Sequence, residues 1–243
     1  LSFAAKRKNN LPEGSRSRTA TKERTMLMSD SWYKVDNVAK VFLATASQRD
    51  PRVFRISCTL NEEIDPDTLN EALRSTAQEW PQFQVTLHRG LFWHYFESTD
   101  QLPTAQPETK APCAPLYTPE RRNKLIYRVT YFGARINLEM FHAITDGNGG
   151  LLYLKSIVRN YLALRHPGEM ENVPSPNSAS AGDMAQDSFR NFYEGTKRKK
   201  SAKKPKVYRP HGFLPYSQLQ FFEGHLSTKE VLARAHELGV SLT

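Results

Sequence analysis

An α+β fold, a mixed α/β sandwich with a largely antiparallel sheet and packed helices, is what three observations in this sequence predict. Two stretches alternate apolar and polar residues and each carries a glycine near its midpoint, which is the pattern of a hairpin. Three other segments place their apolar residues at helical spacing, and two of them open on a capping residue. No internal repeat and no heptad seam is present, which removes solenoids and coiled coils. At 243 residues, with 39% hydrophobic and 11% aromatic content, the chain can bury a core.

The elements follow in order. VFRISCTL (Val53–Leu60) reads as a strand. DPDTLNEALRSTAQEW reads as a helix with Asp65 as N-cap and Pro66 in the first turn; Leu69, Leu73, Ala77 and Trp80 share its apolar face. FQVTLHRGLFWHYFES reads as a hairpin turning near Arg89 and Gly90, and the five prolines between Gln101 and Pro119 predict an extended loop. NKLIYRVTYFGARINLEMFHAI reads as a second hairpin turning near Gly133, with Ile136, Leu138, Met140 and His142 on one face of its second strand. LLYLKSIVRNYLALRH then puts Leu151, Leu154, Val158, Tyr161 and Leu162 along one side of a helix. GEMENVPSPNSASAGD is a polar linker, YSQLQFFEGHL a last strand, and STKEVLARAHELG a helix with Ser227 as N-cap, Glu230 completing a capping box and Gly239 as its stop.

The net charge of +9 is local. Residues 1–25 carry a balance of +5 and the run Lys197–Lys206 seven positive charges, so the rest of the chain is mildly acidic. That distribution, with no aromatics inside the basic run, argues against a nucleic-acid binder and for a solvated loop; a patch for coenzyme phosphates or for an anionic membrane is the functional alternative. No stretch approaches a membrane span and no secretory signal is visible. Cys58 and Cys113 form neither a disulfide framework nor a metal-ligand spacing, so a soluble cytoplasmic protein is expected. The chain opens on Leu1, with Met26 and Met28 as alternative starts, and ends just after a completed helix, as a fragment would. The expected organisation is a disordered or non-native basic tail over 1–25, an N-terminal lobe over 26–170, a polar and basic linker over 171–215, and the start of a truncated C-terminal lobe over 216–243.

Chemistry concentrates in INLEMFHAITDGNGG, Ile136–Gly150, where an alternating strand delivers His142, then Asp146, then Gly147, Gly149 and Gly150. An imidazole at a strand rim can take a proton from an alcohol or amine as that group attacks a carbonyl. Asp146 would orient the histidine or hold the loop through an ion pair, and the glycines would let the backbone approach a ligand near a helix N-terminus. The plainer reading stands beside it: a hydrogen-bonded structural histidine followed by a common Asp-Gly turn. A metal site is not expected, because His142 and Asp146 find no third ligand at supporting spacing. A dinucleotide loop would need glycine where Leu152 stands.

FHAITDG resembles the H-x-x-x-D-G motif of the chloramphenicol acetyltransferase-like superfamily, which includes the condensation domains of non-ribosomal peptide synthetases, plant BAHD acyltransferases and wax-ester synthases. Within it, the chain is most similar to bacterial alcohol acetyltransferase-like proteins. There, WYKVDNVAKVF-like, VFRISCTL-like and FQVTLHRGLFWHYFE-like stretches precede the motif, so the likeness runs from about Trp32 to Thr243. The resemblance implies a chloramphenicol acetyltransferase-like lobe. It also implies direct transfer of an acyl group, chiefly acetyl, from a thioester such as acetyl-CoA to an alcohol or amine, with acyl-CoA a co-substrate and no cofactor held. His142 would be the general base, Asp146 the ion-paired residue that shapes the loop, its arginine unassigned, and Gly147 the motif glycine. Phe141 departs from the pattern, where many members carry a first histidine; neighbouring strand residues face opposite ways, so it should serve as packing. In the superfamily the site lies between two lobes, and this chain supplies one lobe plus the start of the next; alone it is expected to be inactive. Two alternatives remain: a condensation-type enzyme forming amides or esters from carrier-protein thioesters, and a non-catalytic binding module of the same fold.

Overall fold

A seven-residue strand, Arg135–Phe141, organises the molecule, because nearly every residue along it is buried and both of its faces are covered. The computed structural model describes residues 32–109, 111–118, 121–170, 173, 174, 176 and 224–242. Contacts divide the chain into two units, 1–203 and 204–243.

In the first unit the order is β1 (Trp32–Lys34), α1 (Asn37–Thr45), β2 (Val53–Thr59), α2 (Pro66–Glu79), a 3₁₀ turn (Pro81–Phe83), β3 (Val85–Arg89), β4 (His94–Ser98), β5 (Ala105–Pro107), β6 (Tyr127–Phe132), β7 (Arg135–Phe141), α3 (Gly147–Arg165) and the short α4 (Pro167–Met170). Strands β2, β7, β6 and β5 form one sheet in that order; β1, β4 and β3 form another. Both expected hairpins are present. β6 and β7 turn at Gly133, whose φ of +53° is the left-handed geometry that favours glycine there, and β3 and β4 turn where the Gly90 N–H donates to the Trp93 carbonyl at 2.7 Å.

The expected proline-rich loop holds a surprise. Its residues Ala105–Pro107 run parallel to β6 and make a fourth, edge strand, so the larger sheet is mixed. Proline is tolerated because an edge strand needs to pair on one side only. Gly168–Met170, read as the start of the polar linker, belong to α4. The rest of that linker lies almost wholly outside the described residues, as do the tail over 1–25, the run Lys197–Lys206 and the last expected strand up to Glu223.

Helix α2 is capped as its sequence requires: the Asp65 carboxylate accepts from the Thr68 N–H at 2.8 Å. Its apolar stripe and that of α3 cover one face of the larger sheet, enclosing Leu69, Leu73, Trp80, Leu138, Tyr153 and Ile157 in the main core. The expected α3 stripe is rotated in the structure. Leu151 is exposed, while Tyr153, Ser156, Ile157 and Asn160 are buried, because the helix packs against α2 as well as against the sheet and its covered side is correspondingly wide. Asn160 bridges to Thr76 and Glu79 of α2, each at 3.0 Å, so polar groups at that contact are satisfied.

A second core lies across β7. Phe141 is buried there with Val35, Ala39, Val85, Leu87 and Ile126, which joins the smaller sheet and α1 to the larger sheet. Along the remainder of that face the side chains are polar. Arg55, Glu139 and Arg128 sit side by side on β2, β7 and β6, and Ser57, Asn137 and Thr130 form the next row. Glu139, fully enclosed, accepts from Arg55 Nη2 at 2.6 Å, Arg128 Nε at 2.5 Å and the Cys113 backbone N–H at 2.8 Å. Glu108 pairs with Arg55 and with Arg135; burial pushes its carboxyl up, but the two guanidinium groups outweigh that and hold it below the ordinary glutamate value.

In the second unit, α5 (Thr228–Glu237) is capped by Ser227, whose hydroxyl accepts from the Glu230 N–H, and stops at Gly239 with φ +63°. No described helix is long and apolar enough to cross a membrane.

Candidate active site

His142 follows β7 directly, and its backbone N–H donates to the Arg52 carbonyl at 2.8 Å. Arg52 itself adopts φ +55°, uncommon for a side-chain-bearing residue, at the point where the chain enters β2. The anchoring therefore couples the histidine to a specific turn on the neighbouring strand. The imidazole lies on Phe42 of α1 with ring centroids 4.0 Å apart and planes 11° from parallel, and Phe54 of β2 meets it edge-on at 5.0 Å. Nδ1 is enclosed without a hydrogen-bond partner among the described residues, and the residue as a whole is half-buried. The aromatic face of Phe42 lies against the imidazole, where it would meet the charge that forms if the ring takes a proton.

Asp146 caps a helix in the structure. It is exposed, and among the described residues neither a hydrogen bond to His142 nor an ion pair to an arginine or lysine is present. Instead it is the N-cap of the 19-residue α3: its carboxylate accepts from the Gly149 N–H at 2.8 Å and its carbonyl from the Gly150 N–H at 3.0 Å. The physical reason is proximity. An aspartate immediately before a helix finds free backbone donors within reach and needs no distant cation. The helix start is thus occupied in part by its own cap, which corrects the picture of a row of free N–H groups.

The glycines divide likewise. A Cβ on Gly147 would meet nothing within 4 Å, so the motif glycine faces open space. A Cβ on Gly150 would stand 2.8 Å from Phe54 Cε2 and 3.4 Å from Ile56 Cδ1, so this glycine lets α3 lie close on β2. Gly150→Ala is expected to cost about 1 kcal/mol net, crowding outweighing the gain in helix propensity. It should also move the Phe54 ring that abuts His142. Chemical denaturation and the His142 ring proton shifts check this; Gly147→Ala, as the comparison, should be neutral or slightly stabilising.

Phe141 points into the second core, 1% exposed and stacked on Tyr117, so it is packing, as the alternation implied. What sequence reasoning missed are Phe42 and Phe54, the two rings that seat the histidine. Their only signal was hydrophobicity, which does not distinguish a seat from a core. No group of three or more His, Cys, Asp or Glu that could hold a metal occurs among the described residues.

No family model and no curated protein matches the chain. Among solved structures it is similar to the starter condensation domain of rhizomide synthetase RzmA, at 13% identity over 57% of this chain and 39% of that one, TM-score 0.46. It is also similar to the X-domain from teicoplanin biosynthesis, at 14% identity, 60% and 34% coverage and TM-score 0.47. A third is polyketide synthase associated protein 5 from Mycobacterium tuberculosis, at 14% identity, 60% and 35% coverage and TM-score 0.40. The chain spans 34–39% of the length of these three structures.

Proposed function

We propose that this chain carries the base-bearing lobe of an acyltransferase that moves an acyl group from a thioester, acetyl-CoA in the simplest case, to an alcohol. The observation that carries the reading is the seat of His142. The ring is held by a backbone hydrogen bond and two aromatic contacts just past the end of β7, with Nδ1 enclosed, which leaves Nε2 as the nitrogen for the acceptor. In that placement Nε2 takes the hydroxyl proton as the alcohol oxygen attacks the thioester carbonyl; the tetrahedral intermediate collapses, the C–S bond breaks, and the proton passes to the departing thiolate. No covalent intermediate on the protein is needed. Asp146 acts on the loop and the start of α3 as its cap and does not act on the imidazole.

Thiol release from acetyl-CoA over a panel of alcohols and amines, with the natural full-length protein, tests this. Release should require an acceptor and fall by about 10² or more in His142→Ala. Equal release from both proteins removes His142 from the mechanism. The non-catalytic reading has one observation in its favour: among the described residues, no side chain orients the imidazole through a hydrogen bond to Nδ1. Thioester binding without turnover in the wild type would establish it.

A further inference from the structure

The chain between Tyr117 and Ile126 is pinned at both ends to Phe141, the residue before His142. The Tyr117 ring stacks on Phe141 with centroids 6.1 Å apart, and the Ile126 carbonyl accepts from the Phe141 N–H at 2.9 Å. Between these pins lies a tight turn. The Arg121 N–H donates to the Thr118 carbonyl at 3.0 Å, the Lys124 N–H to the Arg121 carbonyl at 3.1 Å, and Gln101 Nε2 to the Asn123 carbonyl at 2.5 Å. The segment reads YTPERRNKLI, three cations against one acid, Glu120. Arg122 and Lys124 are exposed, and among the described residues no carboxylate pairs with Arg121, Arg122 or Lys124. The arginines of the neighbouring sheet differ, since Arg55, Arg128 and Arg135 each meet a glutamate. Arg121 Nε is enclosed without a hydrogen-bond partner among the described residues. Burial, and after it the charge of Arg128, holds the Arg121 guanidinium below the ordinary arginine value, as expected of a cation that nothing compensates.

We propose that Arg121, Arg122 and Lys124 bind phosphate on the pantetheine thioester that donates the acyl group, and so dock the donor while its sulfur reaches His142. The choice of ligand rests on the acyl-transfer reading; the placement of the cations does not. Reach supports the match. Lys124 stands two residues and Arg121 five from Ile126, so at about 3.3–3.6 Å per residue the charges lie within about 18 Å of that pin. The pantetheine arm spans roughly 15 Å from sulfur to phosphorus at standard bond lengths. A phosphate on the turn and a thioester beside the imidazole are therefore compatible with one extended arm. Arginine suits phosphate because its fork of N–H groups meets two oxygens at once, and lysine adds a point charge. Three cations in one turn are too short a track for a nucleic-acid backbone, which needs a stripe of charges along its length.

The test measures binding by titration calorimetry on the natural full-length protein, with coenzyme A, phosphopantetheine and phosphate-free pantetheine as probes. Affinity for coenzyme A is expected to fall by about tenfold or more in Arg121→Gln/Arg122→Gln/Lys124→Gln, and to weaken with added salt in the parent. Pantetheine should bind parent and variant alike. A fall for both phosphate-bearing probes assigns the contact to the phosphate next to the arm, which the free coenzyme shares with a carrier protein's prosthetic group. A fall for coenzyme A alone assigns it to the nucleotide phosphates, and the free coenzyme is then the donor. Circular dichroism unchanged from the parent shows that the variant folds. Unchanged affinity for coenzyme A in the variant, an equal fall for pantetheine, or no binding of coenzyme A by the parent overturns the proposal. Thiol release is read separately. Charge-dependent binding without turnover keeps this site and removes the acyl-transfer reading; turnover that depends on His142 but not on the three cations does the reverse.

Discussion

Glu139→Ala is expected to lower the free energy of unfolding by about 3–5 kcal/mol, the scale of leaving a buried ion pair without one partner. The carboxylate is fully enclosed and compensates two guanidinium groups, Arg55 and Arg128, while also accepting from the Cys113 N–H. With the carboxylate removed, two mostly buried cations face each other across the width of a strand, and neither can turn to water without leaving the sheet. Arg55 retains Glu108, and Arg128 retains the Ala111 carbonyl. The decisive comparison is a triple replacement of Arg55, Glu139 and Arg128 by leucine and methionine, which should recover most of the loss because no charge is then stranded. Urea unfolding followed by circular dichroism measures both. A loss under about 1 kcal/mol in the single variant would mean that water reaches the row of charges and screens it.

Trp80→Ala should cost a similar amount, about 3–5 kcal/mol, for a different reason. The indole is 4% exposed, stacks on Phe83 with centroids 5.5 Å apart, and meets Tyr153 nearly at right angles. Its Nε1 donates to the Ser156 hydroxyl at 2.9 Å, so truncation opens a cavity where α2 meets α3 and also strands a buried hydroxyl. Trp80→Phe separates the two contributions. It keeps the stacking and most of the volume and should lose about 1 kcal/mol beyond the packing change, the worth of one neutral hydrogen bond. The same unfolding measurement applies; an alanine variant within about 1 kcal/mol of wild type would show that Tyr153 and Phe83 collapse into the gap.

The parts of this structure that were legible in the sequence are those fixed by neighbours along the chain. The two hairpins, the Asp65 and Ser227 caps and the Gly239 stop depend on a few adjacent residues, and local backbone chemistry decides them. His142 at a strand rim was legible for the same reason. The capping bond of Asp146 was not, since an acid before a helix can cap it, pair elsewhere or do both, and sequence alone does not show the cap. Nor was the Arg55–Glu139–Arg128 row: each charge looks solvent-facing by alternation, and register alone reveals that β7 is covered on both sides. The parallel strand at Ala105–Pro107 was hidden because prolines argue for a loop, and a short edge strand is where that argument is weakest.

The seat of His142 also determines when the candidate site comes into being. Its support arrives from Phe42, Arg52 and Phe54, which lie about 90 to 100 residues earlier in the chain. The β6–β7 hairpin can form by itself within microseconds, and it then carries the histidine as a free, fully rotating side chain. Orientation is gained only when a loop of that length closes, a step whose entropy must be met before any contact repays it. Assembly of the histidine's seat is thus expected to be a late, global event, because the imidazole is not aligned until β2 and α1 have docked on a strand that follows them by so many residues.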